Sequence, residues 1–229
     1  MNNGSSQAPI IQLSGIGRRF GTDPPLDALV GVDLDVRQGE WLAIAGPSGS
    51  GKSTLLNILG LLDAPTAGRY RLDGVDVADL HDSQRAGLRG RAIGFVFQSF
   101  HLIAHRSVLE NVMISDVYRK GARRQRAERA TTALAHVGLS HRAGYLPTRL
   151  SGGERQRAAI ARAIMGSPRV LLTDEPTGNL DSATSAAIME LFSELNRSGL
   201  TIVMITHDAD VAQRADRQVR IVDGRLGAY

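Results

Sequence analysis

The sequence predicts an α/β protein whose mostly parallel sheet is covered by helices on both faces, with a helical subdomain inserted between two strands. Short apolar runs of strand character alternate along the chain with helical patterns, an order typical of parallel sheets. The stretch 99–167 is rich in helical pattern and contains no strand-like run of its own. At 229 residues, of which 42% are hydrophobic, the chain is long enough to bury one substantial core.

The predicted strands are short runs rich in β-branched and aliphatic side chains. They cover 10–13, 32–36, 41–45, 93–97, 170–173, 201–205 and 218–222. The predicted helices carry apolar residues that recur every three or four positions. They cover 52–59, 123–137, 154–164 and 183–195.

A glycine-rich loop connects the strand 41–45 to the helix 52–59 and reads Gly-Pro-Ser-Gly-Ser-Gly-Lys-Ser. Phosphate oxygens need several backbone N–H donors that converge on one point, and side chains there would block the approach. Lys52 adds a charge for the β- and γ-phosphates, and the Ser53 hydroxyl is suited to Mg²⁺. A linker turn is the alternative, but the strand-loop-helix setting favours a nucleotide. The expected binding residues are Gly46, Ser48, Gly49, Ser50, Gly51, Lys52, Ser53 and Thr54.

Two acidic residues follow the apolar strand 170–173, where the carboxyl ends of parallel strands form the usual ligand-binding edge. Asp174 is expected to hold Mg²⁺ through its water shell. Glu175 points the other way and is expected to polarise the water that attacks the γ-phosphate. Surface acids at a strand end are the alternative, which the neighbouring phosphate loop makes the weaker one.

Two further polar residues end apolar strands, and both are expected at the same edge. Gln98 follows 93–97 and can bind Mg²⁺ or the attacking water. His207 follows 201–206 and can hydrogen-bond the γ-phosphate and position Glu175. Each alone would be an ordinary strand-end residue, and their shared position favours a catalytic role.

A second candidate phosphate clamp begins the helix 154–164, in the segment Leu-Ser-Gly-Gly-Glu-Arg-Gln at 150–156. Ser151 is a good helix cap, but two glycines are a poor choice for a first turn, which indicates a functional reason. The exposed N–H groups of Ser151, Gly152, Gly153 and Glu154 lie at a positive helix end. One ATP needs one clamp per chain, so this one is expected to serve a neighbour's nucleotide in a head-to-tail dimer.

Composition and charge limit where the protein is expected to act and what it is expected to bind. No run approaches the roughly 20 apolar residues that span a bilayer, and the polar N-terminus does not resemble a secretory signal. The absence of cysteine excludes disulfides and thiolate metal sites and fits the cytoplasm. The net charge is +4, but the densest basic segment, 119–129, is interpreted as a solvated helix face, so no nucleic-acid partner is expected.

The order of these motifs resembles that of ABC transporter ATPases, from about Ile10 to Gly227. The resemblance implies an ABC ATPase fold: a RecA-like P-loop core, an N-terminal antiparallel β subdomain and an inserted helical subdomain. It also implies that Phe20 stacks on adenine and that Asp181 contributes to the nucleotide site. The implied division of the single domain 1–229 is a flexible N-terminus at 1–9, a catalytic core with the β subdomain at 10–98 and 168–229, and a helical subdomain at 99–167.

The same resemblance implies which ligands the chain binds and which residues act on them. ATP and Mg²⁺ are the implied ligands; the implied catalytic residues are Lys52, Gln98, Glu175 and His207, and the implied metal ligands are Ser53, Gln98 and Asp174.

The finer resemblance is to the branch of the macrolide exporter MacB, the lipoprotein-releasing LolD and the cell-division ATPase FtsE. It rests on the stretches 58–63, 95–98 and 174–181. This branch implies a homodimer that drives a separate membrane permease, at the inner face of the cell membrane, to export or extract peptides, lipoproteins or hydrophobic drugs. The alternatives are an FtsE-like regulator of cell-wall remodelling that moves no solute and, more remotely, a non-transport ATPase acting on nucleic acid.

Overall fold

The computed structural model describes residues 8–21, 23–116 and 123–228, which form two compact units. The first unit is the chain up to Ala86 together with its return from Thr201, and the second is Gly87–Leu200. The predicted division into a core and a helical subdomain at 99–167 stays a prediction. Most of the predicted flexible N-terminus and part of the basic segment, at 119–122, lie outside the described residues.

Strands and helices alternate along most of the chain, as the sequence predicts. The elements are β1 (Ile11–Phe20), β2 (Leu26–Val36), β3 (Trp41–Ala45), α1 (Lys52–Leu59), β4 (Ala67–Leu72), β5 (Val75–Asp76), α2 (Asp82–Ala92), β6 (Ile93–Phe97), α3 (Val108–Met113), α4 (Arg123–His136), α5 (Gly152–Ile164), β7 (Val170–Asp174), α6 (Ser182–Arg197), β8 (Thr201–Ile205), α7 (Ala209–Ala212), β9 (Arg217–Val222) and β10 (Arg225–Ala228). None of these helices is both long and apolar enough to cross a bilayer.

The first unit contains an antiparallel sheet in the order β2-β1-β4-β5. Its register pairs Ile11 of β1 with Val36 on one side and with Leu72 on the other. These side chains are buried, whereas neighbouring positions along the strands face solvent, which is the alternation expected of a sheet with one covered face. The antiparallel β subdomain is thereby confirmed.

The same unit contains a parallel part in which β3 lies between β8 and β9, and β10 closes this group antiparallel to β9. The strands β3 and β8 are buried almost throughout, because parallel strands covered on both faces need continuous apolar runs. Register pairs Ile44 with Ile205, so the residues that follow β3 and β8 leave the sheet at the same edge.

The second unit contains the parallel pair β6 and β7 and a group of helices. The helices α3, α4 and α5 pack on one another, and α5 also packs on β6. The buried stripe of α5 consists mainly of alanine, which lets neighbouring backbones approach closely. Register pairs Phe97 with Asp174, which aligns the carboxyl ends of β6 and β7.

Candidate nucleotide-binding and catalytic site

The loop after β3 is shaped by glycines that no other residue can replace without displacing backbone. A Cβ atom at Gly46 would lie 2.2 Å from the carbonyl oxygen of Ile221. A Cβ at Gly51 would lie 2.5 Å from the Ala28 carbonyl oxygen, and Gly51 also has a φ of +104°, which disfavours every side chain. The loop is tied to the β9–β10 turn because Gly224 N–H donates to the Ser50 carbonyl at 3.0 Å.

The helix α1 begins at Lys52 with Gly51 as its cap and without a side-chain hydrogen bond at that cap. The first N–H groups of a helix have no acceptor within the helix, so those of α1 point towards the loop. The helix dipole adds a partial positive charge at this end. The Lys52 ammonium donates to the carbonyls of Gly46 at 2.8 Å and Pro47 at 2.7 Å. An ammonium group has three donors, so this position fixes Lys52 at the loop and leaves one for a phosphate oxygen.

A pocket of about 390 Å³ in the first unit joins this loop to Phe20, within the size range of small-molecule sites. The guanidinium of Arg18 lies 4.6 Å from the centre of the Phe20 ring and is held by Asp63 at 2.9 Å. One face of the ring is therefore occupied, and a base would stack on the other. The pocket is lined by Phe20, Leu26, Asp27, Ala28, Gly49, Gly51, Lys52, Ser53, Thr54, Asp223 and Gly224.

His207 lies at the edge from which the phosphate loop emerges. Thr206 N–H donates to the Ile44 carbonyl at 3.3 Å, and His207 is the next residue and is exposed. The Asp208 carboxylate accepts a 2.9 Å hydrogen bond from Asp210 N–H and caps α7. His207 thus stands on a backbone held on both sides, and its role at the γ-phosphate stays a prediction.

In the second unit, the ends of β6 and β7 bring Gln98 beside Asp174 and Glu175. Gln98 Nε2 donates to Asn179 Oδ1 at 3.3 Å, and Asn179 Nδ2 returns a 3.1 Å bond to the Gln98 carbonyl. The sequence predicts the common edge, and the structure adds Asn179 as the residue that orients the Gln98 amide. With Nε2 committed to Asn179, the Gln98 oxygen is the atom suited to a cation or water.

Glu175 has a left-handed backbone with a φ of +46°, which is uncommon and costly for a residue with a side chain. Its carbonyl accepts a 3.1 Å hydrogen bond from Gly178 N–H. Such a conformation persists only where the surroundings hold it, and it turns the chain sharply where β7 ends. The opposite directions expected of the Asp174 and Glu175 side chains stay a prediction.

The helix α5 begins with a capping box. Ser151 Oγ accepts from Glu154 N–H at 3.2 Å, and the Glu154 carboxylate accepts from Ser151 N–H at 2.9 Å. The hydrogen bond from Ser151, together with a 2.8 Å contact from Arg142 Nε, lowers the pKa of Glu154. Its predicted place at the nucleotide stays a prediction, and the structure shows Glu154 forming the helix start.

The two glycines after Ser151 lie against the stretch before and within α6. A Cβ at Gly153 would lie 2.5 Å from Thr184 Cγ2, and one at Gly152 would lie 3.2 Å from Leu180 Cδ2. Asp181 caps α6; its carboxylate accepts from the Thr184 hydroxyl at 2.6 Å and from Thr184 N–H at 2.9 Å, and these hydrogen bonds lower the pKa of Asp181. Sequence reasoning missed Thr184, because nothing in its neighbourhood shows that another helix starts against it.

The proposed Mg²⁺ ligands offer oxygen atoms only: the Ser53 hydroxyl, the Gln98 amide oxygen and the Asp174 carboxylate. Within the described ranges, His, Asp and Glu side chains nowhere gather in a group of three or more able to hold a metal ion. Oxygen donors of this kind suit Mg²⁺, which is usually bound by one or two carboxylates together with phosphate oxygens and water.

Comparisons with known proteins point to one family. The ABC transporter family profile matches residues 29–178. The chain is 54% identical over 195 residues to YvrO of Bacillus subtilis, an ABC transporter ATP-binding protein, with 85% of each chain covered. It is 49% identical over 219 residues to the macrolide export ATP-binding/permease protein MacB of Rhodospirillum rubrum; these cover 95% of this chain but 34% of that protein.

Solved structures agree as well. The ATP-binding cassette MJ0796, in a dimeric post-hydrolysis state bound to ADP and Pi, superposes with a TM-score of 0.86 at 39% identity. The match covers 95% of this chain and 98% of that one.

Proposed function

This chain belongs to the ABC transporter family of ATP-binding proteins, and from that premise we propose that two copies close head to tail on two ATP molecules to drive a separate membrane permease. The chain is an ATP hydrolase. The observation that carries the proposal is the start of α5, an exposed serine-capped N-terminus in a chain that already has a phosphate loop. Because one ATP needs one such loop, the second N-terminus is available to the nucleotide of the other copy.

Binding of ATP rests on residues of the first unit. Phe20 stacks on the base, and the N–H groups at the start of α1 surround the phosphates. Lys52 supplies a positive charge to the β- and γ-phosphates. Mg²⁺, when bound with ATP, would neutralise phosphate charge, with Ser53 and Asp174 as its ligands in this chain.

Hydrolysis needs a water molecule that is held and polarised opposite the bond to be broken. Glu175 accepts the proton of this water, since its carboxylate is acceptor-only when ionised. His207 donates to a γ-phosphate oxygen, and Gln98 holds the water or the cation through its amide oxygen. Ser151 and Gly153 of the other copy donate to the γ-phosphate, so that only a closed dimer completes the site.

The permease is proposed as another chain. MacB is named as an ATP-binding/permease protein, and the present chain spans about a third of its length. A permease of that type would export or extract peptides, lipoproteins or hydrophobic drugs. It would hold the dimer at the inner face of the cell membrane.

The segment 99–110 is the proposed contact with the permease. Phe100 and Leu102 are half-buried and Ile103 is 38% exposed, whereas Val108 is fully buried and belongs to the interior. The guanidinium of Arg155 lies 5.2 Å from the Phe100 ring centre, and Arg162 donates to the Phe100 carbonyl at 2.8 Å. This segment therefore offers apolar side chains on a fixed backbone, one residue after Gln98.

The dimer is tested by sedimentation of purified Glu175→Gln, which binds ATP without consuming it. We expect dimers with ATP and monomers with ADP, because ADP lacks the γ-phosphate that bridges the copies. A monomer under both conditions would contradict the shared site.

The permease contact is tested by reconstituting Leu102→Glu with its permease. We expect ATP binding to be unchanged and stimulation of hydrolysis by the permease to be lost. Leu62→Glu is the matched control, because Leu62 is an exposed leucine (51%) outside the segment 99–110. Unchanged assembly and stimulation in Leu102→Glu would place the contact elsewhere.

A further inference from the structure

Gln156 is a polar residue in an apolar setting. Its side chain is 0% exposed, on the face of α5 that otherwise buries alanine and isoleucine. Its amide nitrogen donates a short 2.6 Å hydrogen bond to the carbonyl oxygen of Pro176. An apolar residue would fill this place without the cost of burying an amide, so the bond to Pro176 is what an amide at this position provides.

Pro176 directly follows Glu175, so the bond of Gln156 holds the Pro176–Thr177 peptide, one residue beyond the proposed general base. Glu175 has the left-handed φ of +46°, and the Gly178 bond to its carbonyl holds it from the other direction. A conformation of this kind is maintained by its neighbours rather than by its own preference. Removing the hydrogen bond from Gln156 to Pro176 would let the Glu175 carboxylate sample other positions, although the fold remains.

The first turn of α5 is tied to the same segment by packing. Gly153 has no room for a Cβ beside Thr184, and Gly152 lies against Leu180. The start of α5 and the segment 175–184 are thus in contact at the glycines and, one turn later, at Gln156. A displacement of Ser151 and Gly153 is therefore passed to the peptide beside Glu175.

We infer that Gln156 is a positioning residue that couples the start of α5 to Glu175 of the same chain, so that one ATP site controls hydrolysis at the other. The inference rests on the proposed function, in which Ser151 and Gly153 hold the ATP of the opposite copy. Engagement of that ATP sets the position of α5, and the Gln156–Pro176 bond sets the carboxylate of Glu175 at the chain's own ATP. The coupling is local and contained within the second unit.

The test is Gln156→Met, which keeps the length of the side chain and removes the amide donor. In the purified full chain we expect kcat for ATP to fall on the order of 10-fold, with the KM for ATP little changed. The Hill coefficient for ATP should fall from near two towards one, because two coupled sites become independent. Gln156→Glu, in which an acceptor faces the Pro176 carbonyl, should give the same pattern.

The matched control is Asn111→Leu. Asn111 is also 0% exposed and donates through its amide to the carbonyls of Ile103, Arg106 and Ser107. Its loss should lower the melting temperature and leave the Hill coefficient unchanged. A purely structural role for Gln156 would produce that same pattern, a lower melting temperature with the wild-type kcat and Hill coefficient, and would overturn the inference.

Association separates this inference from the function on which it rests. The double variant Glu175→Gln, Gln156→Met should dimerise with ATP within about threefold of Glu175→Gln alone, because Ser151 still caps the helix. Failure of Glu175→Gln itself to dimerise overturns the proposed dimer and the coupling with it. Normal dimerisation with unchanged kcat and Hill coefficient in Gln156→Met overturns the coupling alone.

Discussion

The two helix starts proposed to bind phosphate, at Lys52 and at Gly152, are built in opposite ways. The first has a left-handed glycine as its cap and no side-chain hydrogen bond there, so its N–H groups face the loop. The second is closed by its own capping box between Ser151 and Glu154. Glycine is required at the first by the backbone of two strands, and at the second by Thr184 of a neighbouring helix.

This difference indicates different tasks. The loop before α1 presents many donors and a lysine, so it can bind a triphosphate by itself. The start of α5 has already satisfied part of its donors within the chain and offers few to a ligand. It is suited to adding the last contacts to a nucleotide that is bound elsewhere. In the proposed dimer, a stable helix start with few remaining donors would make assembly depend on the γ-phosphate and would make it reversible after hydrolysis.

The largest expected effect separates ATP hydrolysis, which needs Glu175, from ATP binding, which needs Lys52 at the start of α1. Glu175→Gln removes the proton acceptor, so hydrolysis should fall on the order of 10²- to 10⁴-fold while ATP binding stays within about threefold. Lys52→Met removes a direct charge contact and should instead weaken nucleotide binding itself. Steady-state hydrolysis and equilibrium binding of a fluorescent ATP analogue measure the two. Wild-type hydrolysis by Glu175→Gln would refute the assignment of the general base.

The next prediction tests why the start of α5 needs glycine at position 153. The glycine is required either for contact with the nucleotide of the other copy or only for packing against Thr184. Gly153→Ala should lower the rate of hydrolysis on the order of 10-fold or more, with nucleotide binding retained. Misplacing one hydrogen-bond donor that stabilises a transition state has an effect of at least this size. The companion Gly153→Ala, Thr184→Ser removes the Cγ2 atom that a Cβ would meet at 2.5 Å and keeps the hydroxyl that donates to Asp181. Full recovery of hydrolysis in the double variant would show that packing alone requires the glycine.

Much of the fold could be predicted from the sequence because its buried strands are continuous apolar runs. The strands β3, β6 and β8 have the predicted bounds, as does α1. The strand β4 was not predicted, since it buries only Tyr70 and Leu72 between exposed arginines. The helix α2 was not predicted either, because it contains Gly87 and Gly90 and buries little.

The candidate site likewise has parts that the sequence predicts and parts that it does not. Residues that follow strands, such as Gln98 and Glu175, could be placed at an edge because parallel strands end together. The contacts of Gln156 with Pro176 and of Gly153 with Thr184 join segments separated in the sequence. No periodicity or motif spacing fixes how closely two helices approach, so these contacts needed coordinates. The predicted roles of the site residues stay predictions.

The smallest expected effect concerns the charge of Glu154 in the capping box at the start of α5. Glu154→Gln keeps an acceptor for Ser151 N–H and loses the ion pair with Arg142, a solvent-accessible pair expected to contribute little to stability. The folded-state pKa of Glu154 is lowered by Ser151 and Arg142. Its stabilising contribution is therefore present above the ordinary carboxyl pKa of about 4.3 and is lost as the pH falls through the lowered value.

Urea unfolding of both proteins should accordingly show a small advantage of the wild type at pH 7 that vanishes in acid. Hydrolysis at pH 7 should change little, because Ser151 and Gly153 keep their places in the helix start. An advantage that grows as the pH falls would mean that Glu154 stabilises the protein in its protonated form. The charge would then have no part in closing this helix start, and the contrast with the uncapped start of α1 would rest on hydrogen bonding alone.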